Sequence, residues 1–328
     1  MTLPRDCGPD PVFPVCQPNS DTTSSLLFPI TTEEIHKCFP RNGSAPGPDL
    51  STVGDLRKVS RFELAKIFNI FLLCRRVPDR SCRAKTIFLP KKTDAISPGD
   101  FRPISLTPIP ARLFSKILAR RLSPVAQLEP ERRGFVETDG ISQNIFMLDY
   151  VFRHARERVK RTFIASLDIK KAFDSVSHQA VFAALQALSV DPEFVKIIKS
   201  IYENSSTSFA PYADHSFKPS CGVKRGDPLS SILFNLAIDQ LVKKLKAGVG
   251  LEIDGATMTI SAYADDILLF ASSSAGLQHL LNETSSFLEQ CNLNINCVKS
   301  FTISILSDSK NKKTKIDSAF PFRVNNAP

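Results

Sequence analysis

Apolar residues recur along this chain with two periods. At helical spacing, Leu113, Ile117 and Leu118 share one side of a stretch at about 110–122, with Arg112, Lys116, Arg120 and Arg121 largely elsewhere. Ile145, Leu148, Phe152 and Val159 repeat the pattern over 140–160, which closes on a basic run at 153–161, favourable at a helix C-terminus. Further helices are predicted at 60–75, 177–188, 228–246 and 275–291. Short apolar runs predict strands at 86–90, 162–169, 257–262 and 267–271, and the alternation Phe301-Thr302-Ile303-Ser304-Ile305 predicts another. The runs at 257–262 and 267–271 flank Tyr263–Asp266 and read as a hairpin. Thr31 with Glu34 fits a capping box and Ile30 with Ile35 a hydrophobic staple, starting a short helix that runs to about Phe39. Asp191-Pro192 opens another helix, with Asp as cap and Pro in the first turn. Residues 1–29, rich in Pro, Ser, Asp and Thr, read as a disordered tail, and the last twenty residues are polar and basic without periodicity. Strands intermingled with helices predict an α+β fold with an antiparallel sheet, rather than a parallel doubly wound one.

Composition narrows the class. With 328 residues, 42% of them hydrophobic and 23% charged, the chain can build a sizeable core. Its net charge of +9 favours a polyanionic partner, nucleic acid before an anionic membrane. The eight cysteines form no Cys-x-x-Cys pair, so no zinc module is readable and a reducing compartment is expected. The longest nearly apolar run, 67–74, is too short to span a bilayer, and no signal peptide is visible, so an intracellular protein without a membrane partner is expected.

Three aspartates carry the candidate chemistry. Asp168 ends an apolar strand, and Asp265-Asp266 occupy the tip of the apolar hairpin. Adjacent carboxylates repel one another. A solvated turn accounts for the pair alone; Mg²⁺, a hard cation taking oxygen ligands, accounts for all three. Two such ions could clamp the attacking and leaving oxygens of a phosphoryl displacement. A second element, Cys221-Gly222-Val223-Lys224-Arg225-Gly226-Asp227-Pro228-Leu229, reads as a cationic turn at a helix N-terminus, suited to an anion or a nucleic-acid backbone, or as an ordinary loop. A third, Leu89-Pro90-Lys91-Lys92 with Phe101-Arg102-Pro103-Ile104, sets cations about a hairpin that could grip a triphosphate, or be merely solvated.

In this order the segments resemble reverse transcriptases, and within them the LINE-type (non-LTR retrotransposon) enzymes, closest to the branch inserting into ribosomal DNA. Ala45-Pro46-Gly47-Pro48-Asp49 resembles the family's opening motif, and the 89–92 and 101–106 segments its fingers motifs. Gly134-Phe135 through Asn144-Ile145 resembles the next block, and Ser166–Asp174 the first palm carboxylate motif. Gly222–Asn235 is similar to the template-contact motif, Tyr263-Ala264-Asp265-Asp266 to the second carboxylate motif, and Asn296-Cys297-Val298-Lys299 to the one after it.

The resemblance implies a right-hand polymerase: a 1–29 tail, fingers at 30–161, a palm at 162–306 with a fingers segment at about 190–220, and a polar tail at 307–328 leading to a thumb that is missing. It implies that Asp168, Asp265 and Asp266, with the carbonyl of Ile169, hold two Mg²⁺ ions, for which Mn²⁺ could substitute. Lys91 and Arg102 would contact the triphosphate, Phe173 exclude a ribose 2′-hydroxyl, Gly226 and Arg225 meet the template, and Lys299 stand near the triphosphate. Arg225 and Ser231 replace the Gln and Pro common at these positions in the family. The implied activity is RNA-directed DNA synthesis for target-primed reverse transcription, with an RNA template, a DNA primer and deoxynucleoside triphosphates as partners and the nucleus as its place. The alternatives are a catalytically weak nucleic-acid-binding remnant of a decayed element, and a group II intron-type enzyme.

Overall fold

A computed structural model of the chain describes residues 10–15, 25–134, 139–209, 215–246, 248–308, 310–317 and 321–324. Phe135, within one of the resembling blocks, lies outside the described residues, as do most of 1–24 and of the last ten positions. By its contacts the chain forms two compact units. One takes in the described residues of Met1–Pro11, Leu128–Ala180 and Asn235–Pro328; the other, those of Val12–Gln127 and Val181–Phe234.

The strands are β1 (Arg83–Pro90), β2 (Phe101–Leu106), β3 (Thr162–Asp168), β4 (Ser206–Phe209), β5 (Ser216–Phe217), β6 (Leu251–Ile253), β7 (Ala256–Met258), β8 (Ile260–Tyr263), β9 (Asp266–Ala271), β10 (Phe301–Asp308) and β11 (Lys313–Asp317). In the first unit β11-β10-β3-β9-β8 form a five-stranded sheet, antiparallel throughout. Its middle strand, β3, is almost wholly buried, which accounts for its mainly apolar make-up. The Gly140–Glu157 helix packs there through Met147 and Val151 against Ile164 and Phe270. The second unit holds a mixed sheet, β2-β1-β4-β5, in which β1 and β4 run parallel. Its helices Arg61–Cys74 and Ile109–Ala126 meet through Phe68, Phe71 and Phe114, with Phe71 and Phe114 edge-to-face at 5.5 Å. The α+β class is the one expected.

Local chemistry explains the element ends. The capping box at Thr31 forms: the Glu34 amide donates to Thr31 Oγ1 at 3.2 Å, and the Thr31 amide to Glu34 Oε2 at 3.0 Å. Ile30 and Ile35, the expected staple, are both buried. Asp191 caps Pro192–Glu203 as read from its sequence.

Three expectations need correction. Order begins ahead of Ile30: Ser25–Leu27 is a helical turn with Leu26 fully buried, and Phe13 is buried as well. The backbone carbonyls of Leu26 and Phe28 accept from Arg121 Nη1 at 2.9 and 2.6 Å, so a side chain far along the chain fixes this segment. The 307–328 region is not featureless, because β11 pairs with an elongated β10. The strand expected at 257–262 is two, β7 and β8, and β7 turns back on β6 through Asp254 and Gly255, both at positive φ. The basic side of the Ile109–Ala126 helix is divided: Lys116 and Arg120 are exposed, whereas Arg112 donates to the Ala45 carbonyl and Arg121 pairs with Glu34 at 2.7 Å.

Candidate active site

The end of the five-stranded sheet collects the three aspartates. Asp168 and Asp266 are direct cross-strand partners, the last pair in the β3–β9 register. Side chains of such a pair stand on the same face, a few Å apart. Asp265 precedes β9 in the turn, and its carbonyl accepts from the Ile169 amide at 3.3 Å. The turn is tight, because Tyr263 and Asp266 pair across it and Ala264 sits at φ +54°. The strand pattern read from the sequence thus brings together the residues it singled out.

A second segment wraps Asp168. The Asn296 amide donates to the Asp168 carbonyl at 2.8 Å, and Asn296 Nδ2 to its carboxylate at 2.7 Å. The Asp168 amide donates to Ser300 Oγ at 3.1 Å, and the Lys170 amide to the Asn294 carbonyl at 2.8 Å. Lys299 Nζ stands 3.9 Å from Asp168 Oδ1 with its side chain largely exposed. Of these neighbours the sequence singled out only Lys299. Asn296 and Ser300 were missed as working residues, although Asn296 lay inside a recognised block.

Electrostatics bear hardest on Asp266. Partial burial pushes the Asp266 carboxyl above its ordinary range, Asp265 and Asp168 push it the same way, and only Lys299 opposes them. A divalent cation would relieve that repulsion, and the donors are hard oxygens. Among the described residues no trio of His, Cys, Asp or Glu stands ready to close round an ion. Mg²⁺ does not need such a cage, since it ordinarily takes one or two carboxylates and completes its shell with phosphates and water. The residues fit an open, substrate-completed site. Phe173 lies half-buried in the one-turn helix Ala172–Ser175 that follows β3.

The remaining candidates belong to the other unit. Lys91 and Arg102 lie on the β1–β2 hairpin: Lys91 Nζ donates to the Gly99 carbonyl at 2.8 Å, and Arg102 stands opposite Leu89. The turn carrying Arg225 and Gly226 is pinned to β2, since the Ser105 amide donates to the Arg225 carbonyl at 2.8 Å. Gly226 is exposed at φ +100°, and a Cβ there would lie 3.2 Å from the Ser105 carbonyl oxygen, so the position requires glycine. Lys224 is not the surface cation expected. Its ammonium turns inward to the Cys82 carbonyl at 3.1 Å, and burial lowers its pKa. Asp227 also turns inward, accepting from the Leu229 amide at 2.9 Å. Together they line a narrow internal cavity with Cys82, Thr107 and Ser115.

Comparisons with known proteins identify the family and the fold. Residues 89–317, which include all three aspartates, match the reverse transcriptase (RNA-dependent DNA polymerase) family. A Pol polyprotein from the type-2 retrotransposable element R2DM of Drosophila melanogaster is 38% identical over 290 residues, covering 88% of this chain and 27% of that protein. Its counterpart from the type-1 retrotransposable element R2 of Nasonia vitripennis is 31% identical over 304 residues, covering 92% and 30%. The chain therefore spans under a third of the length of these relatives. Among solved structures, apo telomerase from Candida tropicalis, truncated from its C-terminal domain, is similar with a TM-score of 0.52 at 16% identity, covering 78% of this chain and 59% of that one. At that identity the likeness is one of fold, the right-hand polymerase.

Proposed function

Since the chain belongs to the reverse transcriptase (RNA-dependent DNA polymerase) family, we propose that it copies RNA into DNA for a non-LTR retrotransposon by target-primed reverse transcription. The observation that carries this reading is the Asp168–Asp266 cross-strand pair at a sheet end, with Asp265 beside it in the turn. Its substrates are an RNA template, a DNA primer and deoxynucleoside triphosphates, and its place of work is the nucleus, at the integration site. Residues 30–161 serve as fingers and 162–306 as palm, with a fingers segment at about 190–220.

Mg²⁺ held at this site would supply Lewis-acid stabilisation of the charge that develops in phosphoryl transfer. Asp168, Asp265, Asp266 and the Ile169 carbonyl are the groups that would hold it. Asn296 fixes the Asp168 carboxylate so that its free lone pairs stay directed. The protein's other contribution is positioning. Lys91 and Arg102 grip the triphosphate, Gly226 and Arg225 meet the template, and Lys299 offers its ammonium to the departing pyrophosphate. Phe173 closes the sugar pocket against a 2′-oxygen.

The test is Mg²⁺-dependent primer extension on an RNA template, with deoxynucleotides and with ribonucleotides. Asp265→Asn should abolish extension, and Phe173→Val should raise ribonucleotide incorporation relative to wild type. Extension unaffected by Asp265→Asn would sink the reading, and unchanged sugar discrimination would remove Phe173 from it.

A further inference from the structure

The turn bearing Asp265 and Asp266 contains a strained residue. Ala264 is left-handed at φ +54°, a conformation that is unfavourable for a residue with a Cβ. Such a conformation persists only where its surroundings over-determine it. Those surroundings come from Glu131–Gly134. The Arg133 amide donates to the Ala262 carbonyl and the Ala262 amide to the Glu131 carbonyl, both at 2.9 Å, so this segment adds a parallel rung beside β8. Gly134 then lies flat against the turn. A Cβ there would run into the Ala264 amide nitrogen and lie 3.0 Å from both the Ala264 Cα and the Tyr263 carbonyl carbon.

Two buried side chains hold the segment in place. Arg132 is only 2% exposed, and its Nη2 and Nε donate to Asn235 Oδ1 at 2.7 and 3.2 Å. Asn235, itself buried on the Pro228–Lys246 helix, returns a hydrogen bond from Nδ2 to the Gly134 carbonyl at 2.7 Å. One amide thus ties the guanidinium to the glycine that abuts the catalytic turn. Burial pushes Arg132 down to about 10, while Asp239 and Asp265 pull it up, so it stays charged at neutral pH. Asp239 is already met by Lys243 at 2.9 Å and by the Glu129 amide at 2.8 Å. Burying a guanidinium carries a desolvation cost that an apolar brace would avoid. A cation is the better choice where the turn it supports carries two carboxylates.

We propose that Arg132, Asn235 and Gly134 are positioning residues that lock the Tyr263–Asp266 turn in its left-handed form and so set the directions of Asp265 and Asp266. The proposal rests on the reading of that turn as the polymerase's metal-binding turn. The brace touches neither substrate nor metal; it acts through Ala264.

The test is amide hydrogen exchange on the whole chain, resolved to peptides covering 260–268 and, as internal reference, 162–168, for wild type, Arg132→Met, Arg132→Lys and Asn235→Asp. A local opening shows as faster exchange confined to the loosened segment. Arg132→Met and Asn235→Asp should speed exchange at 260–268 about tenfold, the response to a loss of about 1.4 kcal/mol of local stability, with 162–168 unchanged. Arg132→Lys, which keeps the charge, should fall between Met and wild type. In single-nucleotide incorporation, kcat should fall about a hundredfold in Arg132→Met, as misplacing a reacting group does, with KM for the deoxynucleotide within about threefold. Asn235→Asp keeps the volume and an acceptor for Arg132, and so provides a folded variant if Arg132→Met does not fold. Exchange at 260–268 unaltered in a folded variant, or speeded equally at 162–168, overturns the proposal. A wild-type chain that extends primers and is stopped by Asp265→Asn upholds the polymerase reading whichever way the exchange comes out.

Discussion

Two aspartates, one in each compact unit, meet burial in opposite ways. Asp227 and Asp266 are both pushed above the ordinary carboxylate range, first by burial. Around Asp227 the next four influences pull back: Lys224, the Leu229 amide, the Ser115 hydroxyl and Arg112 all favour its charge. Around Asp266 the next two influences, Asp265 and Asp168, add to the penalty, and only Lys299 opposes it. The first is a carboxylate whose surroundings are complete within the fold. The second belongs to a set whose repulsion the fold leaves standing, the expected condition of a site completed by a ligand. Asp266 is also the more exposed of the two, but what sets it apart is the missing compensation.

Glu34 extends the comparison to a third carboxylate with its own partner. Burial raises its pKa, but the hydrogen bonds from Arg121 and Thr31 and the charge of Arg121 outweigh burial and bring it below the ordinary value. Arg121 binds both carboxylate oxygens, at 2.7 and 2.9 Å, and three backbone carbonyls besides. Arg121→Ala should therefore have the largest effect on stability, a loss of about 3 kcal/mol in denaturant unfolding, because it strands a partly buried carboxylate and three carbonyls. Lys224→Met should cost about 2 kcal/mol by leaving Asp227 with less compensation, and the loss should shrink at acid pH as Asp227 takes up a proton. The smallest effect is the pH dependence of Glu34→Gln. A depressed folded pKa gives stability that is present above the unfolded value and lost as pH falls through the folded one. The stability gap between wild type and Glu34→Gln should thus be full at neutral pH and close on acidification below about pH 4. A gap independent of pH would remove Glu34 from the compensated class.

What was legible in the sequence follows the same division. The three aspartates could be singled out because they stand at the ends of apolar strands or in the turn between two of them, and a charge there is conspicuous against a period-two pattern. The capping box at Thr31 and the Asp191 cap were legible because both are local rules. The inward turn of Lys224 and the internal role of Arg121 were not, because a cation's partners here are backbone carbonyls distant in sequence, and no local pattern marks a carbonyl as an acceptor. Asn235 did leave a sign. A polar residue inside Leu233-Phe234-Asn235-Leu236-Ala237 has to find hydrogen-bond partners if the run is buried. The Asp254-Gly255 pair between β6 and β7 was likewise a hairpin signal in plain view, left without a reading.

The most direct measurement sets the two aspartates against each other: single-turnover nucleotide incorporation on an RNA template by Asp266→Asn and by Asp227→Asn, at a temperature where both are folded. The account predicts that Asp266→Asn loses at least about a thousandfold in rate, as loss of an essential catalytic group does, with an unchanged or raised denaturation midpoint, and that Asp227→Asn stays within about tenfold of wild type. Equal losses in the two variants, or an Asp266→Asn protein that still extends primers at near the wild-type rate, would contradict it.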